Sequence, residues 1–136
     1  MPSSHCHVYH LVQARLWEQV AATEGIYFPP TYETDGFVHG TANTQKLLSV
    51  ANHFYRDIPG RWCCLRMTVE SLGRTGVETV FEGTAPVGDI QPGFEGAGDE
   101  LFPHIYGGIR PAAVLQVHAV TRAADGTFLA VAGVTD

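Results

Sequence analysis

The spacing of apolar positions along the chain switches between strand-like and helix-like periods. Residues 8–12 (Val-Tyr-His-Leu-Val) form a short apolar run and read as a first strand. Over residues 14–23 the period changes, with Trp17, Val20 and Ala21 on one helical face, and Gly25 is expected to end that helix. Consecutive prolines at 29 and 30 exclude regular pairing, so residues 26–32 read as a loop. A short strand over Phe37, Val38 and His39 follows Gly36. Thr41 or Asn43 is placed to cap the next helix, whose apolar residues Leu47, Val50, Ala51 and Phe54 recur at i, i+3, i+4 and i+7. Residues 62–69 are almost continuously apolar, the pattern of a central strand buried on both faces. Residues 77–82 alternate, as in a strand with one wet face. Five glycines and two prolines make residues 83–99 a long irregular loop. A strand over residues 113–120 and a turn at Ala124, Asp125 and Gly126 then lead to a last strand at 127–132. The sum is about six strands and two main helices, an α+β fold with a mixed or mostly antiparallel sheet.

Composition narrows the function classes. The 136 residues suit one domain, and 45% hydrophobic against 16% charged residues is a globular balance. No apolar run approaches the roughly 18 residues of a spanning helix, and the first residues lack a basic-then-apolar leader, so no membrane association is expected. Cys6, Cys63 and Cys64 make a poor disulfide framework, which favours reduced thiols and a cytoplasmic setting. The net charge is −6, from 8 basic and 14 acidic residues. The arginines are scattered, which argues against coating a nucleic acid, a task that needs clustered cations. A small-molecule ligand is the expected partner, and the oligomeric state is left open.

Seven histidines raise the question of metal. His5, Cys6, His7 and His10 lie close together, but strand alternation would divide them between two faces, and zinc needs four converging donors. No metal site is expected. His10 lies inside an apolar strand beside Tyr9. His39 is followed by Gly40 and Thr41, where a glycine lets a ligand approach the backbone. Either histidine alone reads as structural. The stretch from Glu100 through Phe102, Pro103, His104 and Tyr106 to Gly107 and Gly108 is less readily explained by burial. There a proline and two glycines impose an unusual backbone path around two polar rings, and His, Glu and Tyr supply an acid, a base and hydrogen-bond donors. Glu82, at a strand end, is a further carboxylate. The candidate catalytic residues are therefore His10, His39, Glu82, Glu100 and His104, and the candidate binding residues Tyr9, Gly40, Thr41, Phe102 and Tyr106. The three histidines are expected to meet in one pocket. Cys63 and Cys64, in a buried strand, are expected to be inert.

Tyr9 and His10, then Gly36 to His39, then Phe81 and Glu82, then Leu101 to Gly107 occur in an order that resembles the domain of unknown function 952 family of small bacterial and plant proteins. The resemblance spans residues 8 to about 120, leaving the hairpin at about 121–136 outside it. It implies an ADP-ribosyltransferase-like fold, a split and mostly antiparallel sheet with a cleft that binds NAD in active relatives. It further implies His10 at the NAD ribose, His39 at the nicotinamide, and Glu82, Glu100 or His104 in the place of a catalytic glutamate. The function so implied is an NAD- or nucleotide-using transferase or glycohydrolase, with NAD as the one cofactor suggested. Two alternatives stand beside it. One is a non-catalytic nucleotide-like binding protein. The other is a histidine-based hydrolase or lyase with His104 as base and Tyr106 as acid or orienting donor.

Overall fold

The computed structural model describes residues 7–91 and 100–135. Strand β1 (Val8–Gln13) runs directly into helix α1 (Ala14–Thr23), which buries Ala14 and Trp17. The helix spans the expected residues, and the left-handed residue that ends it is Glu24 rather than the glycine that follows. Glu24 takes the left-handed conformation (φ 52), and the Gly25 amide closes the end on the Val20 carbonyl at 3.0 Å. Inside the proline loop, one turn of helix, α2 (Tyr32–Asp35), ends at Gly36 (φ 83), where a side chain would be strained. Strand β2 (Val38–His39) follows. The Asn43 side chain accepts from the Gln45 amide and starts a 3-10 turn, Thr44–Lys46, that continues into α3 (Leu47–Phe54). All four apolar positions of the i, i+3, i+4, i+7 pattern are buried there.

Strand β3 (Trp62–Met67) ends two residues short of the expected run. Thr68 accepts from the Ser71 amide and Ser71 Oγ accepts from the Thr68 amide, a reciprocal cap that opens helix α4 (Val69–Arg74). Strand β4 (Glu78–Glu82) comes next. Residues 102–106, expected to follow an irregular path, form strand β5 (Phe102–Tyr106) instead. Its Pro103 is tolerated because a residue's N–H and C=O point to the same side in an antiparallel strand. The missing donor falls opposite Gly40, beyond the end of β2, while the Pro103 carbonyl accepts the Gly40 amide at 2.9 Å. A 3-10 turn, Pro111–Ala113, delays the next strand, β6 (Gln116–Arg122), which turns back into β7 (Phe128–Val131).

The strands form two sheets, ordered β1-β3-β6-β7 and β2-β5-β4, and every strand pair is antiparallel. The sheets join at one seam. Tyr9 and Thr41 exchange both backbone hydrogen bonds at 2.8 Å, next to the Gly40–Pro103 bond. A Cβ on Gly40 would stand 3.0 Å from both the Pro103 oxygen and Val8 Cγ1, so any side chain there would force the seam to give by a few tenths of an ångström.

Apolar residues collect on both faces of the larger sheet. Val8, Val12, Trp17, Leu65, Met67 and Ile105 form one cluster, and Tyr9, Leu11, Leu47, Trp62, Phe128 and Val131 the other. Fully burying each large aliphatic is worth about 1.5–3 kcal/mol. The last hairpin is woven into the second cluster. Asn52 on α3 donates to the Phe128 carbonyl (3.0 Å) and accepts from the Phe128 amide (2.6 Å). The Arg122 guanidinium donates to the carbonyls of Arg56, Ile58, Gly60 and Gly126 and lies 4.3 Å from the Phe128 ring centroid. Cys63 and Cys64 are buried free thiols. Burial pushes Cys63 up to about 11 and raises Cys64 as well, so neither is a ready thiolate. Among the described residues, no helix is long and apolar enough to cross a membrane.

Candidate active site

The alternation of β5 sorts its side chains. Pro103 and Ile105 are buried on one face, and Phe102, His104 and Tyr106 project from the other. The register pairs His39 with His104 across β2 and β5, so two imidazoles stand side by side. Their ring centroids are 5.9 Å apart at 69°. Phe37 stacks on His104 at 4.0 Å and 18°, which fixes the plane of that ring.

Each imidazole is backed by a carboxylate. Asp35 Oδ2 lies 2.9 Å from His39 Nε2, an i,i+4 pair made possible by the turn at Gly36. Asp35 is itself buried and also accepts from the Gly88 amide at 3.1 Å. Glu82 Oε1 accepts from His104 Nδ1 at 2.8 Å and from the Tyr106 hydroxyl at 2.5 Å. A carboxylate facing a neutral imidazole selects the tautomer with its proton on the nearer nitrogen. His39 then carries Nε2–H and His104 carries Nδ1–H. That leaves His39 Nδ1 and His104 Nε2 as lone-pair acceptors.

Burial lowers the pKa of His39, and the hydrogen bond that it donates to Asp35 only partly offsets this. Hydrogen bonds from Tyr106 and then His104 hold the Glu82 carboxyl below its usual range. The same bond to Glu82 pushes the Tyr106 hydroxyl up. At neutral pH the group is thus a carboxylate, a phenol and a neutral His39.

Both imidazoles line one cavity together with Tyr9, Gly40, Thr41 and Phe102. Leu11, Val50, Phe54 and Val87 make the rest of its wall largely apolar, and among the described residues no lysine or arginine lines it. Its volume is about 30 Å³, the space of a single water.

The structure brings most of the sequence candidates together, but not all. Tyr9, His39, Gly40, Thr41, Phe102 and His104 line the cavity, and Glu82 and Tyr106 are bonded around His104. His10 touches the group only through the backbone, donating Nδ1–H to the His39 carbonyl at 2.6 Å while lining a different cavity. The three histidines are therefore contiguous without sharing one pocket. Glu100 pairs with Lys46 at 3.0 Å and accepts from Asn43 at 3.3 Å, at the entry to α3. Asp35 escaped the sequence reading. Its one signal was an acidic residue four before His39, across a glycine. Among the described residues no group of three His, Cys, Asp or Glu is arranged to hold a metal ion, and His5 and Cys6 lie outside the described residues.

The model of the family described as "Protein of unknown function (DUF952)" matches residues 11–117. Among solved structures, the X-ray structure of protein CC0527 from Caulobacter crescentus is 20% identical, with a TM-score of 0.68 over 90% of this chain and 93% of that one. The solution NMR structure of CC0527 is 19% identical, with a TM-score of 0.59 over 88% and 89% of the two chains. At such identities the likeness shows a shared fold. No curated protein matches the chain.

Proposed function

The chain belongs to the DUF952 family of proteins of unknown function, and from that premise we propose that its His39–His104 cavity is the site of a general acid–base enzyme acting on a small molecule, a hydrolase or lyase by reaction class. One observation carries the reading. Two imidazoles, each within hydrogen-bond distance of its own carboxylate, line a single cavity. A histidine positioned in this way contributes typically 10²–10⁴-fold to a proton-transfer step. His104 is the base: Nε2 takes a proton from water or substrate, and Glu82 stabilises the imidazolium that results. His39, held neutral by burial, accepts a hydrogen bond through Nδ1 and orients the substrate. Tyr106 keeps Glu82 ionised and aligned.

The test is a thermal-shift screen of small esters, amides, lactones and hydroxy acids, with each positive checked for turnover by mass spectrometry. Turnover should fall by roughly 10²-fold or more in His104→Gln while the ligand-induced shift persists. A ligand returned intact by the wild-type protein would make the cavity a binding site without chemistry. Turnover unchanged in His104→Gln would remove the assignment.

A second reading, an ADP-ribosyltransferase-like enzyme that uses NAD, is favoured by the way two antiparallel sheets meet at the Tyr9–Thr41 seam, with Glu82 at the face of the smaller one. In it, Glu82 stabilises the ribosyl cation as nicotinamide leaves. No lysine or arginine among the described residues lines the cavity, which counts against it, because a pyrophosphate needs cations or converging amides. NAD in the same screen decides: nicotinamide release that is lost in Glu82→Gln supports this reading, and no release removes it.

A further inference from the structure

The two sheets have four edges, and three of them carry partners. On β1 the Tyr9 amide and carbonyl are taken by Thr41 across the seam. On β2 the His39 carbonyl accepts from His10 Nδ1 at 2.6 Å. On β7 the Asn52 side chain takes both backbone groups of Phe128, and the Val131 amide donates to Thr135 Oγ1 at 2.8 Å.

The fourth edge, β4, is open. Strand alternation decides which of its backbone groups face outward. Pro103 has no N–H and turns its carbonyl to Gly40 on the β2 side, so Phe81, opposite Pro103, exchanges no ladder bonds with β5. Thr79, opposite Ile105, has the same phase. The amides and carbonyls of Thr79 and Phe81 therefore point away from the sheet, and among the described residues none of them has a hydrogen-bond partner. No residue of β4 is buried. Natural edges are blunted by lysine, proline, a bulge or a covering element. β4 has neither lysine nor proline, and its register with β5 runs without a shift. An edge of this kind accepts one more strand.

The side chains state what that strand carries. Glu78, Val80 and Glu82 share the face of His104 and Tyr106, while Thr79 and Phe81 share the face of Pro103 and Ile105. On the open side, Glu78, Val80 and Glu82 fall at the non-hydrogen-bonded positions, where opposite side chains come closest. Glu78 is exposed, and the Glu82 side chain is 41% exposed. A second copy of the chain is a poor occupant. The antiparallel register that overlaps two β4 strands fully sets Glu78 against Glu82 of the other copy at both ends, like charges directly opposite on a chain of net charge −6. Lysine or arginine at those two positions turns the same geometry into two ion pairs. Phe81, 40% exposed, favours an apolar residue opposite it on the other face.

We propose that the free edge of β4 receives an extended segment of a basic partner protein, paired antiparallel through the Thr79 and Phe81 backbones, with lysine or arginine opposite Glu78 and Glu82. It does not depend on the reaction assigned to His39 and His104, and either assignment can fail without the other.

The probe is an acetylated and amidated peptide, Thr-Lys-Val-Thr-Val-Lys-Thr, whose lysines stand opposite Glu78 and Glu82 when its central threonine faces Val80. A control peptide carries glutamate in place of both lysines. Each is titrated into the wild-type protein while the backbone amides are followed by ¹H–¹⁵N NMR and hydrogen exchange. The Thr79 and Phe81 amides should exchange freely in the protein alone and slow by about tenfold or more when the lysine peptide is bound. The glutamate peptide should bind about tenfold more weakly, and the difference should shrink in high salt. Phe81→Pro deletes a donor that points away from β5, so the circular dichroism and cooperative melt should survive while the lysine peptide loses about tenfold in affinity. If that variant does not fold, Glu78→Lys should collapse the preference between the two peptides. Equal affinity for the two peptides, or Thr79 and Phe81 amides unaffected by the lysine peptide, overturns the proposal. So does protection of those amides in the protein alone together with a dimer in sedimentation, which gives the edge to a second copy.

Discussion

Glu82 and Asp35 give two neighbouring imidazoles the same service from opposite settings, one carboxylate partly in solvent and the other buried. For His104 the consequence is spectroscopic. In ¹⁵N spectra at pH 8 its Nδ1 should carry the proton, and Glu82→Gln should convert this single tautomer into a mixture. An unchanged tautomer in the variant would mean that Phe37 stacking, not Glu82, sets the ring. Gly40→Ala tests the seam. The added methyl meets a carbonyl oxygen and Val8 at 3.0 Å, and the expected cost is about 1–3 kcal/mol by chemical denaturation. At this scale the strings around His39 and His104 were visible because a glycine, a proline and polar rings interrupt otherwise apolar runs. Asp35 was not, because its role arises from a helical turn too short to leave a periodicity. Glu100 shows the converse: proximity to His104 in sequence says little when strand direction carries the two side chains to different partners.

Among the elements, the long-period signals translated directly. The buried face of α3 and the central position of β3 follow from spacing alone. Two elements were misread for physical reasons. Residues 102–106 carry a proline, usually evidence against a central strand, yet β5 lies between β2 and β4, because β2 is two residues long and ends before the proline needs a partner. Helix α4 was missed, its first residue Val69 taken into the preceding strand because it extends the apolar run, although Thr68 and Ser71 already spelled a cap. The docking of β7 on α3 rests on Asn52, whose amide satisfies both backbone groups of Phe128. Asn52→Ala leaves that donor and acceptor unpaired in a packed region. A loss of about 2–4 kcal/mol is expected in urea denaturation, against a change within about 0.5 kcal/mol for an exposed control such as Gln19→Ala. A near-neutral Asn52→Ala would show that water replaces the side chain.

For the molecule as a whole, His10 links stability to acidity. Burial holds its folded pKa at about 4, below the ordinary histidine value of 6.5, so the unfolded chain binds more protons between those limits. Stability therefore rises with pH through that window and is lost as pH falls from about 6.5 toward 4. Between pH 7 and 5 the loss is about 2 kcal/mol. Burial lowers His39 as well and adds loss of the same sign. Denaturation midpoints at the two pH values should show the fall, and His10→Gln, which cannot titrate, should flatten it. An equal slope in the variant would assign the acid sensitivity elsewhere. The sequence exposed neither the shift nor the two-chamber layout, since both come from the way distant strands close around β1. The bond from the Gly88 amide to Asp35 has a kinetic consequence of its own. The segment beside that amide lines the His39–His104 cavity through Thr84, Ala85 and Val87, and the carboxylate that accepts from it is the one that accepts from His39. Whenever that bond opens, the Gly88 proton is free to exchange with deuterium, so its exchange rate reports how often this part of the cavity wall parts from Asp35.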